Sequence, residues 1–160
     1  MRLFRNNADI QLQEDNVMIY SALNISKLII NHEHCNDREV SNLRLQKLLY
    51  FIQAKALKET GEPCFFEEIE AWAFGPVVPV VYHEYQIFGG LDIMRNEAIY
   101  FQLEPEMRNL ITDMLDYCTR YTTSQLVRIT HNQSPWINAR LQGEHAVITN
   151  KAIKEYFSKK

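Results

Sequence analysis

One segment constrains this chain more than any other. Between Ser41 and Pro63, the residues Leu45, Leu48, Leu49, Ile52 and Ala56 recur three or four apart, which puts them on one face of an α-helix. Ser41 or Asn42 can accept hydrogen bonds from the free N–H groups of the first turn. Gly61 suits the left-handed residue that ends a helix, and Pro63 just beyond cannot continue it. The spacing predicts a helix of about 18 residues, roughly 27 Å long.

The rest of the chain reads as shorter pieces around that helix. Residues 1–15 are polar and aperiodic and are expected to form an arm, with the domain proper over 16–160. From Asn16, the positions Met18, Ala22, Ile25 and Ile29 predict a helix that the polar stretch 32–39 interrupts. At 65–73, Ile69, Ala71 and Ala73 alternate with Glu68, Glu70 and Trp72, a period of two that predicts a strand. Gly75-Pro76 is expected to turn the chain, and Pro79 to open a helix that closes at Gly89-Gly90. Residues 98–103 offer a second strand, since a lone strand leaves its backbone groups unsatisfied. Pro105 opens a helix with the stripe Met107, Leu110, Ile111, Met114, Leu115, Cys118 and Tyr121. Thr122 or Thr123 caps another through His131, Ser134-Pro135 starts one that stops near Gly143, and Thr149 begins the last, with Ile153 and Phe157 facing inward. The expected fold is mainly α: a single compact domain of six or seven helices with a minor two-stranded β element.

Composition narrows the function. A chain of 160 residues, 46% hydrophobic and 23% charged, can bury a substantial core. Its 17 basic and 20 acidic residues leave a net charge of −3, which argues against a duplex-DNA binder that works by neutralising phosphates. The three cysteines (Cys35, Cys64, Cys118) are odd in number and lack CxxC spacing, unlike a secreted disulfide framework. The N-terminus carries no signal-peptide pattern, and the longest apolar run, 48–52, is too short to span a bilayer. The cytoplasm is the expected location.

Motifs that would carry chemistry are sparse. His32-Glu33-His34-Cys35 places adjacent ligand types in a polar stretch, poor spacing for one tetrahedral ion. There is no phosphate loop, dinucleotide fingerprint or nucleophile elbow. The carboxylate pairs Glu67-Glu68 and Glu104/Glu106 read as a solvated face. His131 and His83 are candidate general bases, but a histidine near a helix end more often caps or hydrogen-bonds. An enzyme built on His131 would need a carboxylate within hydrogen-bond reach beside an open pocket. No catalytic residue, metal or cofactor is expected. Arg38, Arg44, Lys47, Lys55 and Lys58 flank the long helix and are read as snorkelling around its apolar stripe.

Two stretches stand out as rigid and aromatic: Glu70-Ala71-Trp72-Ala73-Phe74-Gly75-Pro76-Val77-Val78-Pro79 and Thr130-His131-Asn132-Gln133-Ser134-Pro135-Trp136. Stiff aromatic corners lose little entropy on binding and serve recognition well; a corner that stabilises the fold fits them equally. With Leu45-Gln46-Lys47-Leu48-Leu49-Tyr50-Phe51 and Tyr82, in this order and at these separations, they resemble the Panacea domain, the SocA-like antitoxin family that also includes phage-associated GepA-like proteins. The resemblance runs from about Val17 to Phe157.

It implies a largely helical, non-enzymatic protein that neutralises a cognate protein toxin by direct contact. Some members act as adaptors that deliver the toxin to a cytosolic protease such as ClpXP. The residues that carry the resemblance are Gln46, Lys47, Tyr50, Trp72, Gly75, Pro76, Pro79, Tyr82, Thr130, His131, Pro135 and Trp136; contact with the partner and support of the fold are both open to them. One departure from the family pattern is that Val80-Val81 follow Pro79 where an acidic residue is usual, leaving Glu84 the nearest carboxylate. Exposed aromatic corners would also suit a homodimer. The alternative reading is a phage-associated regulatory module that binds nucleic acid, with the β element as a wing.

Overall fold

The computed structural model describes residues 18–160 and, as backbone, residues 10–12. The order is β1 (Ile10–Leu12), β2 (Met18–Tyr20), α1 (Ala22–Cys35), α2 (Asn42–Thr60), β3 (Ile69–Trp72), β4 (Gly75–Val77), α3 (Pro79–Tyr85), a 3-10 turn (Gln86–Phe88), α4 (Pro105–Cys118), α5 (Thr123–His131), α6 (Ser134–Gln142), β5 (Val147–Ile148) and α7 (Asn150–Ser158). The protein is mainly α, with seven α-helices among the described residues.

The long helix is the axis of the fold. Ser41 Oγ accepts from the Arg44 N–H and Gly61 ends the helix at φ +81°, as its sequence signals require. Helices α1, α3, α4, α5 and α7 and strand β4 all pack against it. As a result 13 of its 19 residues are buried. These include Leu45, Leu48, Leu49, Ile52 and Ala56, and also Gln46, Lys47, Tyr50 and Gln53. A single amphipathic stripe becomes a helix buried nearly all round, so its polar residues need internal partners.

Three local readings change in the structure. Met18–Tyr20 is a strand rather than helix: Ser21 Oγ accepts from the Asn24 N–H and fixes the start of α1, while residues 16–17 of the expected helix lie outside the described residues. Of the expected arm, Ile10–Leu12 pairs antiparallel with β2, Ile10 opposite Tyr20; residues 1–9 and 13–15 lie outside the described residues. At its other end α1 runs on through His32, Glu33 and His34. Glu33 is buried there and bound by both Arg38 Nε and Nη2, at 3.1 and 2.8 Å, so a polar residue extends the helix because it has a partner.

The sheet also differs. Strand β3 is central, with β4 and β5 antiparallel on either side. The turn falls at Ala73-Phe74, and Gly75-Pro76 opens β4, Trp72 opposite Gly75 and Ala71 opposite Pro76. Proline is tolerated because β4 is an edge strand. With both sides of β3 filled, residues 98–103 have no strand to join. That irregular stretch is pinned at its start by Asn31, which donates to the Glu97 carbonyl at 2.7 Å and accepts from the Glu97 N–H at 3.1 Å.

Candidate functional site

The β3–β4 turn is held from behind by a buried polar hub on α2. Gln46 Nε2 donates to Asn42 Oδ1 at 2.9 Å, and its Oε1 accepts from the Val78 N–H at 2.8 Å, fixing the start of α3. Lys47 is fully buried and donates from Nζ to the Pro76 carbonyl at 2.6 Å. Burial pulls its pKa down to about 7, because the ammonium form has lost its water. The Tyr50 hydroxyl donates to Gln133 Oε1 at 2.8 Å, tying α2 to the α5–α6 junction. Thr130 Oγ1 donates to the Val127 carbonyl within α5.

Gly75 is the keystone of the hub. Its φ is +108°, and a Cβ there would stand 2.8 Å from both Lys47 Cε and Thr130 Oγ1. Only glycine satisfies both the backbone angle and the close approach.

In front of the hub lies a layer of rings. Trp136 Nε1 donates to the Trp72 carbonyl at 2.9 Å, and His131 stacks on Trp136 with centroids 4.1 Å apart. The His131 ring is held below its usual pKa by burial first, with the Lys47 and Arg140 charges acting the same way and the Ala73 backbone opposing them. Its Nε2 has no hydrogen-bond partner, so no carboxylate there completes an acid–base pair. Trp72 Nε1 donates to Glu70 Oε2 at 2.7 Å. The Trp72 ring lies 4.9 Å from Tyr82, tilted at 60°, and 4.4 Å from His145, stacked at 18°.

Of these rings, Trp72, Tyr82 and His145 open onto a cleft of about 340 Å³, whose lining also includes Gln46, Phe74 and Val77. Phe74, at the tip of the turn, is 68% exposed. The cleft presents rings, a polar floor and a rigid backbone.

Comparison with known proteins fits this geometry. Residues 45–137 match the family described as Antitoxin SocA-like, Panacea domain. The chain belongs to this family. The matched span contains Gln46, Lys47, Tyr50 and Gly75 of the hub and both Trp72 and Trp136 of the ring layer, and all twelve residues singled out from the sequence fall inside it, whereas Asn42 and His145 lie outside. The chain is also 33% identical over 125 residues to a protein named Antitoxin SocA from Caulobacter vibrioides (strain NA1000 / CB15N). That alignment covers 70% of this chain and 66% of the relative's length. No solved structure matches the chain.

The twelve residues of this Panacea domain divide cleanly. Gln46, Lys47, Tyr50, Gly75, Pro76, Thr130 and Pro135 are buried, and Pro79 is half-buried at the first turn of α3. Trp72, Tyr82, His131 and Trp136 are half-buried and build the ring layer. Sequence reasoning did not single out Phe74, His145 and Asn42, which complete the cleft, or Gln133, which anchors Tyr50. Phe74 carried a signal in its aromatic–Gly–Pro setting. His145 carried none, since only the pairing of β5 with β3 brings it to Trp72.

The other candidate groups lie apart from this cleft. His34 Nε2 is 3.3 Å from Asp92 Oδ1 and His32 Nε2 is 3.6 Å from Asp116 Oδ1, so His32, Glu33 and His34 serve side-chain pairs at the end of α1 while Cys35 is a free, exposed thiol. Arg44 donates to the carbonyls of Cys118 and Tyr121, where it caps the end of α4. Among the described residues, no helix is long and apolar enough to cross a membrane.

Proposed function

We propose that this chain is an antitoxin that neutralises a cognate protein toxin by direct contact, and that the cleft around Trp72, Phe74 and Tyr82 forms the centre of the contact surface. The observation that carries this is an exposed aromatic side chain, Phe74, mounted on a turn whose backbone is fixed from behind by Lys47 and Gln46. Binding energy concentrates in such pre-organised aromatic anchors. Membership of the SocA-like antitoxin family supports the same reading, as does the likeness to a relative named Antitoxin SocA. On this reading the role is one of binding.

The test is co-expression with the open reading frame that neighbours this chain's gene. Induction of the neighbour alone is expected to arrest growth, and co-expression to restore it, with the two proteins co-purifying. Rescue lost in Phe74→Ala while the protein stays folded would place the cleft in the interface. A toxin that falls in amount on co-expression points to delivery to a protease; one that persists, inactive, points to blocking. A harmless neighbour, or arrest that persists beside abundant antitoxin, overturns the reading.

A further inference from the structure

The cleft also carries the chemistry of its occupant. We propose that it takes an apolar, ring-sized side chain presented between basic residues on the partner protein; this rests on the reading of the chain as a protein-binding domain.

The apolar part follows from the lining. Trp72, Tyr82 and Phe74 line the cleft with Gln86 and Gly89, and Ile87 and Leu91, on either side of Gly89 in sequence, are 82% and 75% exposed. Exposed apolar side chains of this kind beside a ring-lined cleft mark an interaction surface. The walls are fixed before any partner arrives. The Ala71 N–H donates to the Ala146 carbonyl at 2.8 Å and holds the neighbouring His145 against Trp72. His145 itself is a non-glycine residue at φ +59°, an uncommon conformation that the surrounding structure must impose.

The basic part follows from the charges nearby. Glu70 sits on the indole nitrogen of Trp72, and Glu144 is exposed next to His145. Glu84 lies on α3 two residues beyond Tyr82, paired with Arg95. The cations close by are committed to internal groups. Lys47 is buried on the Pro76 carbonyl, Arg44 caps α4, and Arg140 reaches back to the Ala71 carbonyl and the Trp136 ring. An incoming segment therefore meets an apolar slot with Glu70 on the indole nitrogen of one lining residue, Trp72, and Glu144 next in sequence to another, His145, which favours positive residues beside the inserted one and disfavours negative ones.

Three capped tripeptides test this directly on the full chain: acetyl-Lys-Phe-Lys-amide, acetyl-Glu-Phe-Glu-amide and acetyl-Lys-Ala-Lys-amide. The readout is the indole N–H resonance of Trp72, assigned with a Trp136→Phe variant. Lys-Phe-Lys is expected to shift it saturably, at least about tenfold more tightly than either of the others, and less tightly as salt rises. Phe74→Ala should weaken that binding about fivefold or more with its circular dichroism unchanged. Equal binding of Glu-Phe-Glu removes the charge argument, equal binding of Lys-Ala-Lys removes the apolar slot, and no shift with any peptide removes the site. If Lys-Phe-Lys binds while the neighbouring gene product goes unrescued, the cleft chemistry stands and the antitoxin reading falls. Rescue without Lys-Phe-Lys binding is the reverse.

Discussion

The hub and the cleft share a wall yet meet opposite demands. Gln46, Lys47, Tyr50 and Gly75 are buried polar or conformationally special residues, and each is matched to a named partner across the fold. A few ångströms away, Phe74 and the outer edges of Trp72 and Tyr82 face solvent, and no contact of the fold calls for an exposed ring at the tip of the turn. Family resemblance marked residues of both regions alike. Under the proposed function their energetics separate them, hub residues acting on stability and cleft residues on recognition.

The largest effect is expected at Gly75. Gly75→Ala forces a Cβ against Lys47 and Thr130 at a positive φ, and should cost about 3 kcal/mol of stability. Urea unfolding measures it; a loss below about 1 kcal/mol would mean that the hub yields easily and is no keystone.

Lys47 gives the next largest effect, and it has a sign. Its folded pKa of about 7 lies well below the ordinary lysine value of 10.5. Above pH 7 the unfolded chain therefore binds more protons at this site, and stability rises with pH. Between pH 7 and 9 the gain should be about 2 kcal/mol. From about pH 8 the buried thiols of Cys64 and Cys118, and at higher pH Tyr50, act the other way and offset part of this gain, since burial raises their pKa values and holds them protonated in the fold. Lys47→Met should flatten the rise, as unfolding at a series of pH values would show; an identical slope in the variant would place the titration elsewhere.

Tyr50→Phe leaves Gln133 Oε1 without its donor and should cost about 1–2 kcal/mol, visible as a lowered thermal midpoint. Phe74→Ala should change stability least, within about 0.5 kcal/mol, while partner binding falls about tenfold or more. Calorimetry with titration against the purified partner reads both. If Phe74→Ala instead unfolds the protein, the division between hub and cleft is wrong.

Much of the fold was legible because it rests on local signals. Ser41 and Gly61 bound α2, Pro105 opens α4, Thr122 caps α5, Pro135 opens α6 and Thr149 caps α7, and each works within one turn of its own helix. The failures were places where a partner outside the element's own residue pattern decided. Residues 98–103 have strand-like composition, yet β3 was already paired on both sides. Glu33 extends α1 because Arg38 meets it. Gly75-Pro76 enters an edge strand in place of a turn because Trp72 pairs opposite Gly75.

The candidate site divides along the same line. The sequence by itself determined the helices and their caps, the rigid aromatic corner around Trp72 and, through resemblance, the family. Only the tertiary structure decided that Lys47, which reads as a snorkelling surface base, lies buried on the Pro76 carbonyl, that His145 closes on Trp72, and that Phe74 stands free. The physical reason is that apolar periodicity reports one face of a helix. Burial of α2 on nearly every side, and the polar partners this requires, come from elements distant in sequence, and no local pattern encodes where those elements meet.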